Sequence, residues 1–508
     1  MHRARSGVPG QSVARPAERT VHGLLQIRSQ AQPDRIAIST DAGQSLTFAD
    51  WQARSTALAV ALIRRGIRRG DRVGLWFGLR DWPGFAVGYC AVTMAGAVAV
   101  PVSDRQPAEA LRHILDHCGA DGLITGSSAA AAPAGPWWTA QADELTAEGP
   151  GDPGELPEVT AADPAQVLYT SGTTGRPKGV LAAHGNVTHG TRPTARHRPL
   201  AHSEEFVHSF AVGTNAGQTM LVNALDAHAG ALVATHFTAG RFARLIEQRA
   251  VGSVFVVPAM AAELLHAKVQ TRFDLSSVRL LGSTAAALPP TVATALTEAF
   301  PNATVVNYYT STEAAPAQTA MIYDPERPTA LGRAARGAVM VCGPDGGPLP
   351  AGERGDVHLR SAGAQRSYYR DAEASATVFR AGWIRMGDVG YLDADGFLHL
   401  VDRESDVIKS GAHKVSTLQV EAAALEHPAV AEVAVVGLPH PVLGTIVGAA
   451  VVTTGGAAFD PAALRAFLAE RLAPHEIPTR IITIDALPRN EGGKPLKRAV
   501  RDLLTAPA

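Results

Sequence analysis

The sequence predicts an α/β fold: a large N-terminal domain of mostly parallel α/β sheets plus a β-rich part, then a small mobile C-terminal α+β domain. Three observations carry this. Short β-branched runs alternate with amphipathic helical stretches through the first three hundred or so positions, the pattern of parallel sheets covered by helices. Past residue 345 it changes to short strands and turns, and after Arg403 a compact α/β pattern of about a hundred residues follows, the size of a small domain. A chain of 508 residues also exceeds what one hydrophobic core organises, so two or more domains are expected.

Taken in order, the first dozen residues carry no apolar periodicity and are expected to be loose. Their basic start, Met1-His2-Arg3-Ala4-Arg5, is not followed by an apolar run, so no secretory signal is read there. Arg72-Val73-Gly74-Leu75-Trp76 reads as a strand, followed by a helix to about Met94, a strand over 98–102 and a helix over 110–117. Residues 83–102 are uncharged and long enough to span a bilayer. Ala/Gly richness, a proline near each end and the run Ala97-Val98-Ala99-Val100 fit a buried helix followed by a strand better, so no membrane span is expected. A Pro/Gly/Ala-rich interval over 127–164 reads as a surface connection. Further strands are read at Ser253-Val254-Phe255-Val256-Val257, Arg279-Leu280-Leu281 and Thr304-Val305-Val306, and later at Val357-His358-Leu359-Arg360 and over 396–401. The last part reads as strands over 431–437 and 446–452 and a helix over 461–471. No period of 20 to 50 residues is present, which excludes a solenoid.

The composition is that of a globular protein with ample apolar content, 46%. A net charge of −1 supplies no basic field for nonspecific nucleic acid or anionic lipid, so the expected partners are small molecules or specific proteins. The cysteines Cys90, Cys118 and Cys342 are odd in number and far apart, which argues against a disulfide framework and for a reducing, cytoplasmic setting.

The most informative stretch is Tyr169-Thr170-Ser171-Gly172-Thr173-Thr174-Gly175-Arg176-Pro177-Lys178-Gly179. Glycines let consecutive backbone N–H groups turn toward one anion, the Ser/Thr hydroxyls donate further hydrogen bonds, and Lys178 or Arg176 balances the charge. This is a loop built to hold phosphate. It is not the P-loop pattern, because Lys178 is followed by Gly179. By itself it indicates a nucleotide and not a reaction.

The run resembles the signature of the adenylate-forming superfamily of acyl-CoA synthetases, luciferases and peptide-synthetase adenylation domains, closest in pattern to the acyl-CoA ligases. The resemblance recurs in family order from about residue 20 to about residue 500. It implies ATP and Mg²⁺ as cofactors, coenzyme A as cosubstrate, and an ATP-binding set of Thr170, Ser171, Gly172, Thr173, Thr174, Gly175 and Lys178. Asn307-Tyr308-Tyr309-Thr310-Ser311-Thr312-Glu313 resembles the family's N-x-Y-G-x-T-E, which places Tyr309 and Thr312 at the nucleotide. A carboxylate beside a triphosphate needs a divalent cation between them, so Glu313 is expected to bind Mg²⁺ with Thr170 and Thr312 assisting. An exposed loop acid is the ordinary alternative for Glu313. Thr310 stands where the family has glycine, narrowing the turn between the nucleotide and acid pockets.

Gly382-Trp383-Ile384-Arg385-Met386-Gly387-Asp388 resembles W-x-x-T-G-D with Met386 in place of threonine. The resemblance makes Asp388 the ribose ligand, a carboxylate accepting from both vicinal hydroxyls, although a turn-capping aspartate would read the same. Ala285, in Gly282-Ser283-Thr284-Ala285-Ala286-Ala287-Leu288-Pro289, matches the adenine-contacting turn less closely. Arg403 is expected near ribose or phosphate at the interdomain hinge, with Ser405 in place of the family's usual Asp or Lys. The Asp402-Arg403 step implies domains over 1–402 and 403–508. In Leu487-Pro488-Arg489-Asn490-Glu491-Gly492-Gly493-Lys494, similar to the family's L-P-x-x-x-x-G-K loop, Lys494 is the expected catalytic cation, reaching the α-phosphate from a flexible glycine-flanked loop. Ser410-Gly411-Ala412-His413-Lys414 would face pantetheine after the small domain rotates.

The acid pocket is less defined. By resemblance His208, Phe210, Asn215, Gln218 and Thr310 line it, but residues 206–210 read equally well as a core strand with a satisfied histidine. The Phe-Asp-x-Ser motif that holds an α-amino group is missing there, which disfavours an α-amino acid. The expected reaction is activation of a carboxylic acid as its adenylate, then transfer to a thiol, coenzyme A first among candidates. The altered Thr310, Met386 and Ser405 leave open an unusual oxyacid such as nitrite for diazotising an aromatic amine, or transfer to a carrier protein, amine or water, in specialised metabolism. A noncatalytic nucleotide-binding paralogue is the alternative of another class, opposed by retention of Lys178, Glu313, Asp388, Arg403 and Lys494.

Overall fold

The structure, a computed structural model, describes residues 19–127, 132–170, 177–194, 196–333, 337–361, 363–411, 413–454 and 459–506. Two α/β sheets face each other across buried helices. The first runs Ser367–Tyr368, Lys178–Ala183, Pro164–Thr170, Val98–Ser103, Arg72–Phe77, Gly122–Thr125, Trp138–Gln141. It is parallel from Pro164–Thr170 to Trp138–Gln141 and antiparallel at its other edge. The second runs Thr319–Ile322, Thr304–Tyr309, Leu280–Ser283, Ser253–Val256, Glu205–His208, Gly230–Val233, Ile36–Thr40, Ser45–Thr47, parallel except at its two outermost pairs.

Parallel strands are covered on both faces, so they read as unbroken apolar runs: every residue of Val98–Ser103 is buried. The helix Trp82–Met94 between the sheets is apolar all round because all its sides are packed, and within it only Gly84 is not fully buried. Its polar contacts are few and internal. Trp51 donates its indole N–H to the Ala86 carbonyl at 2.9 Å and Tyr89 its hydroxyl to Gln166 Oε1 at 2.8 Å. The uncharged segment 83–102 is therefore a core helix and strand, and among the described residues no helix is long and apolar enough to cross a membrane.

A smaller antiparallel sheet follows, Val339–Cys342, Gly355–Arg360, Trp383–Leu392 and Phe379–Arg380, with Leu398–Arg403 paired to Trp383–Leu392. Beyond it lies a sheet of His413–Val415, Ile408–Ser410, Gly444–Thr453, Val430–His440 and Arg480–Thr483, covered by helices Thr417–Leu425, Pro461–Ala469 and Lys497–Thr505, with separate apolar clusters on its two faces. Asp402 ties the two sheets. Its carboxylate accepts from the backbone N–H of Thr417, the first residue of the helix, and from that of Arg403 at 2.7 Å.

All three cysteines are free and buried. Burial raises the Cys90 thiol above its ordinary range and pushes that of Cys118 up to about 12, so both stay protonated core side chains at neutral pH.

Candidate active site

In open α/β sheets the carboxyl ends of the strands border the ligand crevice. Here those ends meet the last loop of the chain around a cavity of 1140 Å³, lined by Val102, Thr170, Ser209, Val257, Thr284, Thr310, Arg403 and Lys494 among others. An adjoining cavity of 780 Å³ shares Ala285, Thr310, Met386, Arg403 and Lys494 with it and adds Asn307, Tyr309 and Asp388.

Thr170 ends one strand and Lys178 opens the next, and the two are register partners across the antiparallel pair. The phosphate loop is thereby clamped at its base; Ser171, Gly172, Thr173, Thr174 and Gly175 lie outside the described residues, as does Ala412 of the pantetheine segment. Lys178 Nζ stands 3.8 Å from Asp371 Oδ2 and 5.0 Å over the Tyr368 ring. Tyr368 in turn donates to Glu313 Oε1 at 3.0 Å. Thr312 is fixed through its backbone, whose carbonyl accepts from Arg366 Nη1 at 2.6 Å. Burial pushes that guanidinium down to about 10, with Tyr89 and Glu313 pulling the other way, so it stays charged at neutral pH. Among the described residues no three His, Cys, Asp or Glu side chains converge as a metal cluster. One carboxylate with a hydroxyl nearby, Glu313 and Thr170, is the donor set of an ion that keeps waters and phosphate oxygens as its other ligands, which fits Mg²⁺.

Asp388 and Arg403 face each other in register on neighbouring strands, Arg403 Nε 3.7 Å from Asp388 Oδ1. Tyr309 donates to Asp388 Oδ2 at 2.6 Å. Burial raises the Asp388 carboxyl, opposed first by Arg403, and raises the Tyr309 phenol well above its ordinary range. Ala285 holds φ +73°, a left-handed conformation that costs an alanine about 1 kcal/mol. Such strain is a feature of binding turns. Preceding it, Gly282 has no room for a side chain: a Cβ there would lie 2.8 Å from Phe255 and 3.0 Å from Tyr308.

Lys494 sits on a turn that is closed by hydrogen bonds across its glycines. Asn490 accepts from the Lys494 N–H through Oδ1 at 2.9 Å and donates its own N–H to the Lys494 carbonyl at 2.9 Å. Arg489 bonds the Gly493 carbonyl at 2.7 Å and Glu432 at 2.6 Å. An asparagine side chain thus supplies a bond that the glycine backbone leaves open. Burial lowers the Lys494 ammonium to about 8, Arg403 adding to the effect and Asp406 and Asp388 opposing it.

Of the residues expected at the acid pocket, Phe210, Asn215 and Thr310 line the larger cavity. Asn215 opens the helix Asn215–Asp226, capped by Thr214, whose Oγ1 accepts from the Gly217 N–H at 3.0 Å. Thr310 gives its hydroxyl to the Ala317 carbonyl at 2.7 Å. His208 and Gln218 lie behind the wall. His208 is fully buried at the end of its strand, accepts from the Phe210 N–H at 3.1 Å through Nδ1, and meets Trp82 edge-on at 5.1 Å; Gln218 spends its amide on the Val212 carbonyl at 2.6 Å. Of the two readings of residues 206–210 the core strand describes the place of His208, but the histidine is only half satisfied, its Nε2 being buried with no hydrogen-bond partner among the described residues. Sequence reasoning gave no role to Asn307, whose Oδ1 is buried beside the second cavity without a hydrogen-bond partner among the described residues, nor to Arg105, Gln106 and Glu491. Asn307 and Glu491 stand inside motifs quoted above, but the motifs do not show that these side chains reach a cavity, and no local pattern marks Arg105 or Gln106.

The cleft joins the Thr170–Lys178 loop base, the Asp388–Arg403 pair and the turn-borne Lys494, a set of groups suited to a nucleotide-binding enzyme. The AMP-binding enzyme family matches residues 25–369, and the AMP-binding enzyme C-terminal domain matches residues 419–494. The chain is 33% identical over 491 residues to a feruloyl-CoA synthase of an Amycolatopsis species, covering 93% of this chain and 97% of that protein. Among solved structures, O-succinylbenzoate coenzyme A synthetase of Bacillus subtilis in complex with AMP superposes with a TM-score of 0.81 at 25% identity, over 96% of this chain and 99% of that one. An amide bond synthetase from Marinactinospora thermotolerans gives 0.80 at 27%, over 95% and 99%. The chain belongs to the adenylate-forming family of AMP-binding enzymes, and it is an ATP-dependent acid–thiol ligase.

Proposed function

We propose that this enzyme activates a carboxylic acid with ATP and transfers the acyl group to coenzyme A. In the first step the substrate carboxylate oxygen attacks the α-phosphorus and the bond to pyrophosphate breaks, giving an acyl-adenylate. In the second the thiol sulfur attacks the acyl carbon, AMP leaves, and the thiol proton passes to solvent. The observation that carries the reading is that Lys494 shares one cavity with Thr170, Lys178 and Glu313. From there its ammonium neutralises charge developing on the α-phosphate.

Asp388 holds the ribose, with Tyr309 fixing its orientation and Arg403 beside it. Asn307 Oδ1 suits a donor such as the adenine amino group. Thr170, Lys178 and the loop between them hold the phosphates. A Mg²⁺ ion, held by Glu313 with Thr170 assisting, would shield the triphosphate's negative charge. Phe210, Val257, Met260 and Thr310 give the acid pocket apolar walls with Asn215 at one side, which suits a flat, largely apolar acid. Residues 403–508 then turn as a unit about the Asp402-Arg403 step, withdrawing Lys494 and bringing residues 410–414 to the thiol, in a cytoplasmic setting. Pyrophosphate exchange over a panel of acids that includes ferulate tests the first step, and mass detection of a coenzyme A thioester the second. Exchange with no acid at all would sink the proposal. The likeness to the amide bond synthetase supports an amine as a second class of acceptor, distinguished by amide formation without coenzyme A.

A further inference from the structure

We infer that Glu491 is a positioning residue for adenylation: its side chain seats the Lys494 turn against the wall of the cleft at Gly213. The inference rests on the adenylation reading above. It starts from how the turn meets the large domain. Arg489, Asn490 and Gly493 close the turn on itself and on Glu432. What then fixes Lys494 in the cleft is the contact made by the tip, Glu491-Gly492-Gly493.

That contact is close at two points and ordinary at a third. A Cβ built on Gly213 would lie 3.2 Å from Glu491 Oε1 and 3.1 Å from the Ser103 nitrogen. On Gly493, a Cβ would lie 2.9 Å from Val257 Cγ2, and on Gly492 it would lie 3.9 Å from Thr214 Cγ2. Gly213 in the wall and Gly493 in the turn therefore leave room for the side chains that face them, Glu491 and Val257. The Glu491 side chain is the long group set into this junction. Gln106 and Ser103 lie against its carboxyl, with Arg105 and Asp104 acting on it from the same strand end, and burial raises it above the ordinary carboxylate range. Its Oε2 is shielded from water and has no hydrogen-bond partner among the described residues.

A carboxyl group placed this way is costly for stability. It is explained if the same group leaves the junction whenever the small domain turns and regains water there, so that the junction holds the turn without locking it. An apolar side chain would hold too weakly in register, and a fully paired ion would hold too long. Glu491 thereby acts through Lys494 and touches no reacting atom.

The test separates the two half-reactions. Pyrophosphate exchange with the acid that the wild-type enzyme activates fastest, ferulate being tried first, reports adenylation; the corresponding adenylate, prepared chemically and mixed with coenzyme A, reports thioester formation. Glu491→Ala is expected to slow exchange by about tenfold, the scale of one lost seating contact. It should do so in kcat more than in the KM for ATP, with thioester formation within about twofold of wild type. Glu491→Gln, which keeps shape and hydrogen-bonding capacity, is expected to restore most of the exchange rate. Thermal melts confirm that the variants fold. Wild-type exchange in Glu491→Ala, or an equal loss in both half-reactions, overturns the inference. Absence of exchange in the wild-type enzyme with every acid would instead overturn the adenylation reading, so the two failures are distinguishable.

Discussion

Tyr309 donates its hydroxyl to Asp388 at 2.6 Å from the end of a strand in the second large sheet, while Asp388 belongs to the antiparallel sheet that follows. One short bond thus joins two sheets at the point where the nucleotide is proposed to bind. Tyr309→Phe removes the donor and leaves a buried carboxylate oxygen without it. The KM for ATP is expected to rise several-fold with a smaller change in kcat, measured by pyrophosphate exchange at varied ATP. An unchanged KM would show that Asp388 does not need this anchor.

Lys494→Ala is expected to lower exchange by about 10²- to 10³-fold, the loss seen when one preorganised electrostatic group is removed from a transition state. Exchange near the wild-type rate would remove Lys494 from the mechanism.

The lowered Lys494 pKa gives opposite trends for activity and stability. Adenylation needs the ammonium, so its rate should fall as pH rises through about 8. Folding follows the other sign. The unfolded lysine keeps its ordinary value of 10.5, so between about 8 and 10.5 the unfolded chain binds more protons, and the cost of burying the charge is relieved as pH rises. Lys494→Arg, charged throughout, should flatten the alkaline limb of the exchange rate. A limb unchanged in that variant would assign it to another group.

Thr310→Gly removes a side chain from the boundary of the two cavities. The hydroxyl is already committed to the Ala317 carbonyl, so the pocket loses bulk and a backbone tether rather than a polar contact with substrate. The range of acids accepted should widen toward bulkier members, read as relative exchange rates over the panel. An identical acid profile would show that Thr310 does not bound the pocket.

Ala285→Gly relieves a left-handed φ of +73° at a cost in unfolded-state entropy. The net expectation is a melting temperature equal to or slightly above wild type. A lower melting temperature would show that the alanine methyl contributes packing that outweighs the strain.

Much of this was legible along the chain because the signals are local. The buried strands showed as β-branched runs, the core helix Trp82–Met94 and the strand after it as an uncharged stretch over 83–102 with a proline near each end, and Thr170, Lys178, Asp388, Arg403 and Lys494 as members of short motifs. The acid pocket was half legible. Phe210 and Asn215 reach the cavity while His208, two residues from Phe210, is sealed in the core, and strand residues of either fate look alike in sequence.

The sequence by itself determined the fold class, the family and the short motifs whose residues are proposed to handle the nucleotide, since those are written as spacing and residue type within a few positions. Only the tertiary structure decided which side chains share a cavity, that an asparagine closes the Lys494 turn, and that Glu491 meets Gly213 across the cleft. Such pairings come from the packing of elements hundreds of residues apart, and the free energy that fixes them resides in contacts that no local stretch of chain contains.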